Sequence, residues 1–172
     1  MATFRNRFST KDLMQIFVFC AFPIHLWTIV NMLRDVPSWL HYMKTVEIIG
    51  SVAYTLTFAL FETMIVFVIV LVVGMVLPKR WVPYTFVPLS SVMLIELAIM
   101  AGIFQHFILQ YLPKRLLLVS FLMILGLTVL TIPKFSKIAV LTRSLAERFA
   151  VLTVLYVLFD FVGLIIVIAR NV

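Results

Sequence analysis

The chain has 172 residues, of which 64% are hydrophobic and 12% charged, and its formal net charge is +7. A soluble domain carries about 25% charged residues and could not cover this much apolar surface. Composition therefore excludes a soluble catalytic or nucleic-acid-binding domain and predicts an all-α polytopic transmembrane helix bundle, with the excess positive charge meeting anionic lipid headgroups at the cytoplasmic face.

The pattern predicts one membrane domain over residues 1–172, with about five spans. The first, 13–33, is opened by Ser9-Thr10-Lys11-Asp12, an S-x-x-D capping pattern just before an apolar run. Cys20, the only cysteine, lies within it, so an intrachain disulfide is excluded. Pro23 is expected to kink this span, and Arg34-Asp35-Val36-Pro37 to end it. Trp39, His41 and Tyr42 then suit an interfacial aromatic belt. The second span, 46–77, is longer than a ~30 Å hydrocarbon core requires, so it must tilt or protrude. The third covers 86–111. The fourth, 116–132, is short, is stopped by Pro133 and has the fewest polar residues, which makes it the most lipid-exposed. Residues 134–143 read as a short amphipathic surface helix. A second capping pattern, Ser144-x-x-Glu147, is then expected to open the fifth span, 146–169.

The tetrapeptide Leu-Pro-Lys-Arg occurs at 77–80 and again at 112–115. It is punctuation rather than a functional repeat. Pro78 disfavours helix at Leu77 and so closes a span, whereas Pro113 fits a helix's first turn. In each copy the Lys-Arg pair can snorkel to the interface. Grouping the 14 Lys and Arg residues by the side on which five spans would place them puts nine with the N-terminus and five opposite. This favours a cytoplasmic N-terminus and an outside C-terminus.

Carboxylates at membrane depth are costly, about 2.5–3.5 kcal/mol each on the mildest scale. Glu62, Glu96 and Asp160 lie deep within spans, as does His25, while His106 and Gln105 lie toward the end of the third. No Lys or Arg lies deep within any span, Arg148 being at the mouth of the fifth, so at least one acid is expected to hold a proton and donate a hydrogen bond. Helical spacing places these residues on stripes: Ala21, His25, Thr28 and Asn31; Glu47, Ser51, Tyr54, Phe58 and Glu62; Glu96, Ile99, Ile103, His106 and Gln110; Thr153, Tyr156, Asp160 and Gly163. Four stripes on four helices point to one shared interior, with His25, Glu62, Glu96 and Asp160 as its polar cluster and Tyr156, Gln105 and His106 as secondary members.

Such a cluster serves as interhelical glue or as a relay. No Glu-x-x-His or His-x-x-x-His spacing, Gly-rich phosphate loop or G-x-S-x-G elbow occurs, so no metal, cofactor or catalytic residue is expected. Three readings remain open. The first is a non-enzymatic subunit, scaffold or assembly module, whose partners are the bilayer and other membrane subunits. The second is a proton- or cation-coupled transporter, and the third an intramembrane lipid-modifying enzyme using a carboxyl–histidine pair.

Overall fold

The computed structural model describes residues 8–77, 85–106, 114–132 and 136–172. They form five α-helices: α1 (Thr10–Tyr42), α2 (Thr45–Val76), α3 (Val87–His106), α4 (Lys114–Thr131) and α5 (Ser136–Asn171). Helices α1, α2, α3 and α5 are long and apolar enough to cross a membrane, and α4 is a shorter apolar helix. The protein is a multi-pass membrane helix bundle.

Helix α1 starts where the sequence says it should. The Ser9 hydroxyl accepts from the Asp12 backbone N–H at 3.2 Å, and the Asp12 carboxylate accepts from the Ser9 backbone N–H at 3.0 Å. A cap of this kind stabilises a helix by about 1 kcal/mol. The end of α1 departs from expectation. The helix does not stop at Arg34 but runs to Tyr42, with Pro23 and Pro37 both inside it. Pro37 removes a single hydrogen bond, in a stretch where Leu33, Arg34, Asp35 and Ser38 are exposed. The freed carbonyl can be solvated there, so the proline alone does not end the helix.

Helix α2 ends at Val76, and Leu77 is extended (φ −74°, ψ 153°), as a residue before proline should be. The rest of the first Leu-Pro-Lys-Arg and the proline of the second lie outside the described residues, as do positions 107–111 of the expected third span. The second copy's Lys114 and Arg115 open α4.

The expected separate surface helix over 134–143 does not form. Helix α5 runs unbroken from Ser136, so Ser144 lies inside it and caps nothing. The physical reason is the absence of a breaker: from 136 to 171 there is no proline and one glycine, Gly163. An S-x-x-E pattern also fits a helix interior, and it signals a start only where something else stops the preceding turn. At 36 residues α5 is ~54 Å long, well beyond a ~30 Å core.

Helix α1 is central and packs against α2, α3 and α5. Helix α2 also packs on α5, and α4 packs on the outer side of α3. Most described α4 side chains are exposed; Thr128 near its end is buried, as is Ile132 just beyond it. One end of the bundle gathers the starts of α1, α3 and α5 with the end of α2. Phe8 and Phe86 close over Gly74, Gln15 meets Ser91, and Arg143 approaches Asp12. At the other end Asn171 donates to the Tyr54 hydroxyl at 2.6 Å. The apolar core lies in the first half of the bundle, around Ile16, Phe19, Leu71 and Val87. It is extended by Phe22 stacked on Phe149 with centroids 4.1 Å apart.

Candidate functional site

Helix α5 presents its predicted stripe inward, with Thr153, Asp160 and Gly163 buried and Tyr156 partly so. Glycine at 163 lets α5 approach α2 closely: a Cβ there would lie 3.0 Å from the Ala53 carbonyl oxygen. That approach holds Asp160, one turn earlier, inside the bundle. From α1, Ala21 and His25 are buried on the facing side.

Here two of the sequence candidates meet. The His25 Nε2 lies 2.8 Å from the Asp160 Oδ2, and the two side chains are 1% and 0% exposed. The other ring nitrogen, Nδ1, lies 2.8 Å from the Ala21 carbonyl oxygen. A carbonyl can only accept, so Nδ1 carries a hydrogen and donates. The contact to Asp160 then holds one shared proton. It is either an imidazolium donating to a carboxylate or a carboxylic acid donating to a neutral imidazole. In both forms the pair has no net charge, which avoids the cost of an isolated charge in a low-dielectric interior. Tyr156 lies parallel to the imidazole, with centroids 5.0 Å apart and planes 2° from parallel. The second carboxylate oxygen of Asp160, Oδ1, is buried and has no hydrogen-bond partner among the described residues.

The other candidates stand apart from this pair. Glu96 is partly buried between α3 and α4, where its Oε1 accepts from the Thr128 hydroxyl, and its Oε2 is buried without a partner among the described residues. Glu62 is exposed. It lines a cavity of about 260 Å³ between α1, α2 and α3, together with Pro23, Trp27 and otherwise apolar residues. Gln105 is exposed, and the side chain of His106 lies outside the described residues. The single interior inferred from four stripes is therefore divided. Helix α2 is the reason. Its buried face is not the polar stripe ending at Glu62 but the small residues Gly50, Ala53, Thr57, Ala59 and Thr63. Close packing rewards small side chains over polar ones, and the two faces differ by about one residue's rotation.

Because Glu62 has no hydrogen bond or ion pair among the described residues, its removal should leave the fold intact. Glu62→Leu is expected to change unfolding free energy in detergent by less than about 0.5 kcal/mol, in either direction. A loss above 2 kcal/mol by reversible SDS unfolding would show that Glu62 supports the bundle.

Contacts that the sequence did not suggest also shape the interior. Gln15 donates to the Ser91 hydroxyl at 3.3 Å across α1 and α3. Thr128 was visible only as one of the few polar residues of α4. Among the described residues no group of three His, Cys, Asp or Glu side chains converges as metal ligands. The cavities around Glu62, at the start of the α1–α5 seam and further along that seam are not lined by His25, Tyr156 or Asp160. Comparison with family models, with curated proteins and with solved structures finds no match to this chain.

Proposed function

We propose that this protein is a non-enzymatic membrane module, a subunit, scaffold or assembly factor, in which the His25–Asp160 pair fixes the packing of α1 on α5. The observation that carries this reading is the sealing of the pair. Both side chains are fully buried, the pair is electrically neutral as a unit, and Tyr156 lies flat against the imidazole. An acid–base catalyst must reach its substrate within hydrogen-bond distance, and a relay needs a path to water. A buried polar pair that fixes the register between helices needs neither.

The decisive experiment is purification of the tagged chain from its native membrane in mild detergent, with quantitative mass spectrometry of the complex. The expected result is a second membrane protein in fixed ratio whose abundance falls when this chain is deleted. A lone monodisperse chain that drives proton flux in liposomes would overturn the proposal in favour of a proton- or cation-coupled transporter. Asp160 Oδ1, which has no partner among the described residues, favours that second reading, since a transported cation could bind there.

The same proposal includes five spans, with a cytoplasmic N-terminus and an outside C-terminus. The clustering of Lys11 and Arg143 at one end of the bundle supports the nine-to-five charge bias. Reporters active only in the cytoplasm, fused after Arg7, after Lys134 and after Val172, should give signal, signal and silence. A signal from the last would mean that α4 does not cross.

A further inference from the structure

Two cavities run end to end along the seam between α1 and α5. The first, about 220 Å³, lies at the starts of both helices and is lined by Lys11, Gln15, Arg143 and Glu147. The second, about 250 Å³, is lined by apolar side chains including Phe17, Val154 and Val157. The two share Met14 and Ala150 in their walls, so the cavity bordered by charged side chains adjoins the apolar one. Thr153, also on the second cavity, is already satisfied, since its hydroxyl donates to the Phe149 carbonyl. A mostly apolar cavity bordered by Lys11, Arg143 and Glu147, beside an apolar groove between two membrane helices, matches the chemistry of a lipid rather than of a water-soluble ligand.

The charges narrow the headgroup. Lys11 and Arg143 are exposed, and Arg143 sits opposite Asp12 at a long 4.0 Å. The cap of α1 uses Asp12 Oδ2, which accepts from both the Ser9 backbone N–H and the Ser9 hydroxyl, while the long contact to Arg143 reaches the other oxygen, Oδ1, through Nη2 alone. Arg143 therefore keeps donors for an incoming phosphate, and Lys11 supplies a second cation. Glu147 lies four residues after Arg143, on the same face of α5, and no ion pair joins the two among the described residues. It would repel a headgroup that carries only negative charge, and it can accept hydrogen bonds from an ammonium group. Beside it, Gln15 is 5% exposed and gives its amide N–H to Ser91. Its amide oxygen makes no hydrogen bond among the described residues.

We propose that the α1–α5 seam binds one phospholipid with a primary-amine headgroup of the phosphatidylethanolamine type. Lys11 and Arg143 hold the phosphate, Glu147 takes the ammonium, and an acyl chain lies in the groove along Val154 and Val157. This goes beyond the assembly role and does not depend on it.

The test is native mass spectrometry of the purified full chain with phosphatidylethanolamine, phosphatidylglycerol and phosphatidylcholine of identical acyl chains. Phosphatidylethanolamine should be retained at least about fivefold over phosphatidylcholine, and above phosphatidylglycerol. The double variant Lys11→Ala/Arg143→Ala should lose that retention, and Glu147→Gln should abolish the preference over phosphatidylglycerol. Val154→Trp fills the apolar groove without changing any charge, at a position where the native side chain is 64% exposed. It should reduce retention of all three lipids while helix content by circular dichroism stays unchanged. Water-soluble glycerophosphoethanolamine in large excess should not compete, which separates a lipid site from a phosphate-ester site. Equal retention of the three lipids by the native protein would overturn the proposal. So would a preference for phosphatidylglycerol, or retention unaffected by both the double variant and Val154→Trp.

Discussion

His25→Leu should lower the unfolding free energy by about 3–5 kcal/mol, the largest effect of any single substitution in the α1–α5 interface. It removes the partner that Asp160 has among the described residues and leaves both carboxyl oxygens buried and unpaired there, since Oδ1 has no partner among them. Asp160→Leu should cost less, about 1–3 kcal/mol, because what it strands is a neutral imidazole acceptor rather than an acid. Asp160→Asn should fall within about 1 kcal/mol of the native protein, because the asparagine amide can donate to Nε2 while Nδ1 continues to donate to Ala21.

The double variant His25→Leu/Asp160→Leu should recover most of the loss, since replacing a buried polar pair with apolar groups strands nothing. Reversible SDS unfolding of the four variants gives the coupling directly. A non-additivity above about 1.5 kcal/mol is expected. Single variants that both lie within 0.5 kcal/mol of native would mean that the pair does not fix the packing. Asp160→Asn that melts normally yet abolishes a proton flux present in the native protein would convert the pair from glue into a relay.

Gly163→Leu is expected to be the most damaging change on the α2–α5 interface, costing about 1–3 kcal/mol or more. A Cβ at 163 would meet the Ala53 carbonyl oxygen at 3.0 Å, and Ala53 Cα and Leu56 Cβ each at 3.5 Å. Backbone cannot swing aside, so a leucine must push the two helices apart. Gly50 is the informative control. A Cβ there would overlap Arg170 far more severely, at 1.6 Å from Nη1, but that contact is the far end of a flexible, exposed side chain. Arg170 can move into solvent, and alanine gains up to ~1 kcal/mol of helix propensity over glycine. Gly50→Ala should therefore be neutral or stabilising by the same unfolding measurement. The opposite order, Gly50→Ala destabilising and Gly163→Leu silent, would show that α2 and α5 do not pack closely at Ala53.

Residues 136–171 show what a local pattern can miss. Ser144-x-x-Glu147 has the composition of a helix start, yet the helix runs through it. A cap acts only on unsatisfied N–H groups, and these exist only where the preceding turn has been interrupted. Pro37 errs in the other direction, as a breaker that did not break, because solvation of one freed carbonyl costs less than abandoning the last turns of α1. Both are contests between a local signal and the continuation of an existing helix, and helix cooperativity decides them.

The sequence by itself determined that this is an all-α membrane protein with four long apolar helices and a shorter one, where α1 begins, and which residues are expensive to bury. These follow from hydropathy, from the caps and from the few charges, all of which are properties of single segments. Only the tertiary structure decided which expensive residues meet. His25 and Asp160 come together from positions 135 apart in sequence, Glu96 turns to α4, and Glu62 is left exposed at the cavity between α1, α2 and α3. Periodicity defines faces on a helix but not the rotation of that helix against its neighbours. For α2 that rotation was set on the face that carries Ala53, where Gly163 of α5 comes close to its backbone, because close backbone approach to α5 outweighs what a polar stripe could gain by turning inward.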